Sequence, residues 1–298
     1  MATPEAHLSS PPSLPLVERE GPSREWKTFW SNPLAWIGTI LLTLIILFSF
    51  VGPVFYPASP YTPHLNAALA PPSAAFPLGT DSLGRNNLSR LMIGGQLSLE
   101  VGFAAAFVSM VIGVGYGLVS GFVGGVLDAV LMRVVDVLYS IPSLFFLLFI
   151  DSVFKPNAVL LVFVIAMVSW FGVARLVRGE VLSLKRRDYV EAAHALGASN
   201  GRIMLRHLLP NVMGVVLVST TLQVANAILT VAGLSFLGLG LPPPTPNWGQ
   251  MLSDSMNYMF QNAWWLIYPP GFAILFVELC VNFIGVSLHQ AFDPRLRR

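Results

Sequence analysis

Of 298 residues, 54% are apolar and only 11% carry charge, whereas a soluble domain carries about 25%. Much of the surface is therefore built for lipid. A net charge of +2 is too slight to mark a nucleic-acid binder, and the single cysteine, Cys280, excludes an internal disulfide framework.

Residues 1–23 are rich in Pro, Ser and Glu and lack the basic run and short apolar core of a secretory signal; they read as a disordered cytoplasmic tail. Trp26, Phe29 and Trp30 share one helical face, with Arg24 and Lys27 off it. That pattern predicts a short helix in the headgroup layer, and tail and helix together fill 1–33. A spanning helix needs about 20 mostly apolar residues. Six spans are predicted on that rule, at 34–53, 97–121, 134–153, 157–176, 212–234 and 267–288, giving an all-α integral membrane fold. The first span and an outer loop occupy 34–96, and a core of five spans occupies 97–298. The third span contains Pro142 and opens with charges; Arg133 and Asp136, three residues apart, are predicted to pair there, with Asp128 as a further structural charge. Loop 237–266, with its proline run and Trp248, reads as a stiff ledge on the outer face, or as a rigid connection that packs on the helix bundle.

Lys and Arg collect in cytoplasmic loops. With the N-terminus inside, all of the 17 Lys and Arg fall on the inner side except Arg85, Arg90 and Lys155. Both termini and the basic loop 177–211 are thus predicted to be cytoplasmic. In that loop Asp188 and Glu191 stand three apart, a capping-box spacing with Asp188 as N-cap. Ala192, Ala193, Ala195 and Leu196 are good helix formers, and Gly197 suits the left-handed position that ends a helix. Ser199 is predicted to cap a second short helix, Pro210 to break it, and Asn211 to cap the fifth span. A blunt, Ala-rich helix in such a loop suits a knob entering a partner's groove, although an ordinary capped connection has the same local pattern.

Other chemistry is absent from the pattern. A phosphate-cradling loop requires Gly before its Lys, but Lys27, Lys155 and Lys185 follow Trp26, Phe154 and Leu184. No His/Cys spacing suggests a metal site, and no nucleophile stands with a base, so the chain is expected to be neither an enzyme nor a carrier of its own cofactor. An ionisable group in mid-span suggests function. Glu278 lies mid-way along the sixth span on a stripe with Gly271, Asn282 and Gly285; Glu100 lies near the outer end of the second. Glu278, Asn282 and Glu100 are candidate path-lining residues, with a packing role as the alternative for Glu278.

Glu191-Ala192-Ala193, the distal Gly197, Ile203 and Leu209-Pro210 together resemble the EAA loop of ABC importer permeases. Three further stretches are similar to the second permease subunit of dipeptide, oligopeptide and nickel importers: Pro77 to Arg85, Leu234 to Gly249, and Asp293 to Arg297. Asn86, Gln96, Val231 and Gly285-Val286 depart from that family's usual residues. The resemblance implies a six-helix type I ABC importer permease in a bacterial plasma membrane. Its coupling helix would comprise Asp188, Tyr189, Glu191, Ala192, Ala193, His194, Ala195, Leu196 and Gly197. It also implies a homologous second permease, two ABC ATPase subunits holding ATP and Mg, and an extracytoplasmic substrate-binding protein, with Asn247 and Trp248 as its contacts. Short peptides are the expected cargo. A nickel chelate, an ATP-independent transporter and a membrane scaffold are the rival readings.

Overall fold

A computed structural model describes residues 23–154 and 157–292. The chain opens with α1 (Ser23–Ser31), the short helix expected there, whose Phe29 is buried against Val218 and Leu288. Asn32 then caps α2 (Pro33–Phe50), accepting from the Leu34 N–H at 2.9 Å, with Pro33 where a missing N–H costs nothing. A short α3 (Gly52–Phe55) extends it. After an irregular segment come α4 (Asn87–Val123), α5 (Gly125–Tyr139), α6 (Ser143–Val153) and α7 (Ala158–Leu184). The helices α8 (Asp188–Ala195) and α9 (Asn200–Ile203) follow, then a π-helical turn (Met204–Leu208) that runs into α10 (Leu209–Phe236). The described chain ends with α11 (Trp248–Met256) and α12 (Trp264–Phe292).

Among the described residues five helical stretches are long and apolar enough to cross a membrane, and the sixth exists only as α5 and α6, bent by 76° at their junction. The continuous helix expected at 134–153 is therefore corrected to two helices that meet at a sharp bend. Pro142 is the cause: it lacks an N–H, its ring excludes the carbonyl one turn back, and it disfavours helix at Ile141. Two other boundaries shift. The second span begins at Asn87, where Asn86 accepts from the Ser89 N–H at 3.1 Å, because the polar Asn86, Asn87, Ser89 and Arg90 are buried in protein rather than excluded from helix. Pro210 does not break the fifth span. The preceding π turn absorbs its missing donor, with the Leu209 N–H reaching back to the Met204 carbonyl, and Asn211 donates its side-chain amide to the His207 carbonyl instead of acting as a cap.

The bundle has two ends. One carries α8, the C-terminal ends of α4, α7 and α12, and α1, tied to α12 by an Asn32-to-Gln290 hydrogen bond of 2.7 Å. The other carries α11 and the start of α4. Arg85 and Arg90, assigned by charge counting to this second end, are both buried there beside Asp81; Lys155 and the C-terminal arginines lie outside the described residues.

The closest seam joins α4 to α7. Gly113, Gly117 and Gly121 recur every four residues on α4 and face Val173, Val177 and Val181 of α7. A Cβ on Gly117 would stand 2.4 Å from the Ala174 carbonyl oxygen, so only glycine permits this approach. Gly115, on the opposite side of the same helix, meets nothing within 4 Å. Gly117→Leu should thus part the helices at a cost of about 1–3 kcal/mol, while Gly115→Leu should be near neutral. Thermal unfolding of the two purified variants checks this; equal loss in both would refute the seam.

Candidate functional site

The helix α8 is rooted by two residues. Val190 and Ala193 are buried against Leu118, Val177, Val181, Ile203 and Leu208, so it stands on the α4–α7 seam and the start of the fifth span. The His194 ring stacks on Phe122 of α4, 6.3 Å between centroids and 9° from parallel. Asp188, Tyr189, Glu191, Ala192, His194, Ala195 and Gly197 all face outward. Leu196 at the tip is 88% exposed, an aliphatic side chain left uncovered by the described residues.

The ends of α8 show how the local sequence builds it. Its N-cap is Arg187, in extended conformation, and no side chain caps it. The expected box with Asp188 as N-cap is corrected by one residue: Asp188 is already helical, and with Glu191 it places negative charge in the first turn, where the helix dipole favours it. The C-terminal expectation holds. Gly197 has φ of +79°, its N–H donates to His194 at 2.9 Å, and the Ala198 N–H donates to Ala193 at 3.0 Å, the paired bonds of a Schellman end. Ser199 accepts from the Arg202 N–H at 3.4 Å, starting the next helix as anticipated.

Charged groups lace the helices beneath α8. Arg178 of α7 grips Asp128 of α5 through two bonds of 2.5 and 2.6 Å, and Ser120 of α4 donates to the same carboxylate. Lys185, just beyond α7, donates to the Gly121 carbonyl at 2.8 Å and so closes the end of α4. The predicted Arg133–Asp136 pair is replaced: Asp136 binds Arg175 of α7 at 2.7 Å, and that guanidinium also lies 4.6 Å from the centre of the Tyr139 ring. Phe122, Arg178 and Lys185 are parts of this site that sequence reasoning missed. Their partners lie on other helices, and the only signal was charge inside or beside an apolar run.

The other candidate residues are dispersed. Glu100 and Asn282 are exposed on α4 and α12, and among the described residues no hydrogen bond joins either to Glu278, whose buried Oε1 finds no partner among them. Asn247 and Trp248 are 1% exposed each. Asn247 caps α11 through the Gln250 N–H at 2.9 Å, and the Trp248 indole donates to the Leu91 carbonyl at 2.9 Å within the core. Both are thus spent inside the chain, which corrects their expected role as contacts for an incoming protein. The Pro77–Arg85 stretch is likewise structural. Asp81 accepts from the Leu83 and Arg85 N–H groups at 2.9 Å each and from Arg85 Nε at 2.6 Å, with Arg90 Nε at 3.4 Å.

Two families match. The one described as "Binding-protein-dependent transport system inner membrane component" covers residues 113–298, and the one described as "N-terminal TM domain of oligopeptide transport permease C" covers residues 23–72. Among curated relatives, the oligopeptide transport system permease protein OppC of Escherichia coli strain K12 is 43% identical over 273 residues, 91% of this chain and 90% of that protein. OppC of Bacillus subtilis strain 168 is 40% identical over 270 residues, 91% of this chain and 88% of the relative. The dipeptide transport system permease protein DppC of Alkalihalophilus pseudofirmus is 37% identical over 298 residues, 100% of this chain and 97% of the relative.

Gly197 has open space around it, so a side chain there is opposed only by its backbone conformation. A β-branched residue at positive φ costs about 1 kcal/mol or more, and asparagine less. Gly197→Val should therefore speed hydrogen exchange at the amides of residues 197 and 198, and Gly197→Asn should leave both nearly protected. Equal protection in all three proteins would mean that this turn does not depend on the left-handed residue.

Proposed function

Since the chain belongs to the binding-protein-dependent transport system inner membrane components, we propose that it is the permease subunit of an ATP-driven importer that carries short peptides across a bacterial inner membrane. The observation that carries the reading is the alignment, over nine tenths or more of this chain, with permeases named for oligopeptide and dipeptide transport. Neither a nickel cargo nor ATP-independent transport is favoured by those names. Several apolar helices and a rooted, outward-facing α8 suit such a subunit.

The finer assignments follow from that reading. A homologous permease completes the path, and two ATPase subunits supply ATP and Mg²⁺ chemistry, one beneath each coupling helix. A binding protein delivers peptide at the α11 end. The α8 end, with both chain termini, faces the cytoplasm, as the exposed Lys and Arg there favour. Asp188 to Gly197 form the docking knob, with Leu196 seated in an apolar hollow of the ATPase. Each nucleotide state must bind one conformation of the bundle better than the other, since a ligand indifferent to the two would move neither. The limit at 33 separates the interfacial helix from the first span, whereas the limit at 96 falls within α4, so the core is taken to begin with that helix at Asn87.

Reconstitution with candidate partners tests the whole. ATP-dependent peptide uptake is expected only when the second permease, the ATPases and the binding protein are all present; uptake by this chain alone in vesicles would overturn the reading. Glu278 is assigned to the path as an acceptor for a cationic peptide terminus. Glu278→Gln is accordingly expected to reduce uptake of free-amino peptides more than of N-acetylated ones. Wild-type rates for both would leave Glu278 as a packing residue.

A further inference from the structure

The break in the third span is an anomaly for a chain in lipid. Backbone that leaves the helix at membrane depth is tolerated only where it is covered by protein or lines water. Here Tyr139, Ile141, Leu144 and Phe145 are 45–67% exposed, with Ser140, Pro142 and Ser143 exposed between them, and α6 starts without a side-chain cap. The depth is set by Asn226 of α10, which borders the same elbow and lies roughly 15 Å along its helix from Phe236, at about 1.5 Å per residue. With Phe236 taken as the outer end of its span, the elbow falls near mid-span, a depth at which open backbone should not face lipid.

Beside it opens a cleft of about 540 Å³, within the ~300–1,000 Å³ typical of small-ligand sites. Its walls divide by chemistry. Phe146, Phe171 and Pro142 offer apolar surface, while Tyr139, Ser143 and Asn226 offer polar groups. None of the Tyr139 hydroxyl, the Ser143 hydroxyl and the Asn226 amide is engaged in a hydrogen bond within the described residues. An amide and two hydroxyls donate and accept. They match peptide groups whatever the side chains are, and the apolar wall takes side chains of varied shape. A lipid tail would leave all three polar groups unsatisfied.

We propose that this cleft at the α5–α6 elbow is a second contact of the chain with the peptide in transit, besides Glu278, with Asn226, Tyr139 and Ser143 pairing with peptide amides against the Phe146 and Phe171 wall. The inference rests on the peptide-importer reading and adds a site to it. It places cargo against α5, α7 and α10, a location distinct from the Glu278 stripe on α12.

Single cysteines at 143 and 226, in a Cys280→Ala background, test it in the assembled importer. The probe is a charged, water-soluble methanethiosulfonate, with modification mapped by mass spectrometry. Phe163→Cys, on the exposed side of α7, is the lipid control. Ser143→Cys and Asn226→Cys are expected to react about tenfold or more faster than Phe163→Cys, because a thiolate forms in water and not in lipid. Peptide-loaded binding protein should slow both. Reaction as slow as at Phe163→Cys would mean that the second permease covers the elbow, which overturns the proposal. Fast reaction unaffected by peptide would overturn the peptide contact while leaving a water path. Uptake by the unmodified importer is measured alongside: if no peptide is carried, the importer reading itself fails, and the rate contrast still decides whether the elbow lines water.

Discussion

The close approach of α4 and α7 governs most of what this chain can do. Three glycines at four-residue intervals let the α7 backbone come within van der Waals reach of α4, and Val173, Val177 and Val181 fill the remaining space. In a bilayer no hydrophobic drive brings helix to helix, so packing of this kind must supply the cohesion. The seam then serves as a foundation. Val190 and Ala193 of α8 bury themselves on it, Phe122 at its end carries the His194 ring, and Lys185 closes it by donating to the Gly121 carbonyl.

Charge adds direction to that cohesion. Two Asp–Arg pairs link α5 to α7, and they are unequal. Arg178 and Asp128 have side chains 33% and 12% exposed and share two short hydrogen bonds. Removing either member leaves the other charge without its partner, and solvent reaching the Arg178 side chain keeps that cost below that of a fully buried pair. Arg175 and Asp136 are 42% and 52% exposed and share a single bond of 2.7 Å, a more open pair than the first. The first pair holds α5 in place, and the second sets the orientation of Tyr139 beside the elbow through its cation–π contact.

The parts legible in the sequence were those decided locally. Apolar runs located five spans, because transfer into lipid is a sum over neighbouring residues. The left-handed Gly197 and the Ser199 cap were readable because each acts within four residues. The parts that were not legible depend on distant partners. Nothing near Trp248 announces that its indole meets the Leu91 carbonyl, so a tryptophan in a proline-rich loop resembled a surface anchor. Nothing near Asp136 ranks Arg175 above Arg133, which is closer in sequence. Pro142 and Pro210 show the same limit from another side. Both lack a donor, yet one breaks its helix and the other does not, because a π turn was available before Pro210 and none formed before Pro142.

That contrast divides the bundle mechanically. The fifth span stays continuous from α9 through α10, so the end that meets α8 is one rod with the part that borders the elbow. Its neighbour α5 is fastened to α7, and α7 runs on through Lys185 into α8. Beyond the break, α6 contributes one buried apolar residue, Leu147, to the core, and much of its remaining surface is open. A displacement of α8 therefore bears on α4, α5, α7 and α10 together, whereas α6 is joined to that body by the Ser140–Pro142 elbow and by little packing of its own. Interfaces of close-packed side chains resist continuous deformation and shift between discrete arrangements. The least packed joint in a spanning segment is where such a shift meets least resistance, and in this chain that joint borders the cleft lined by Tyr139, Ser143 and Asn226.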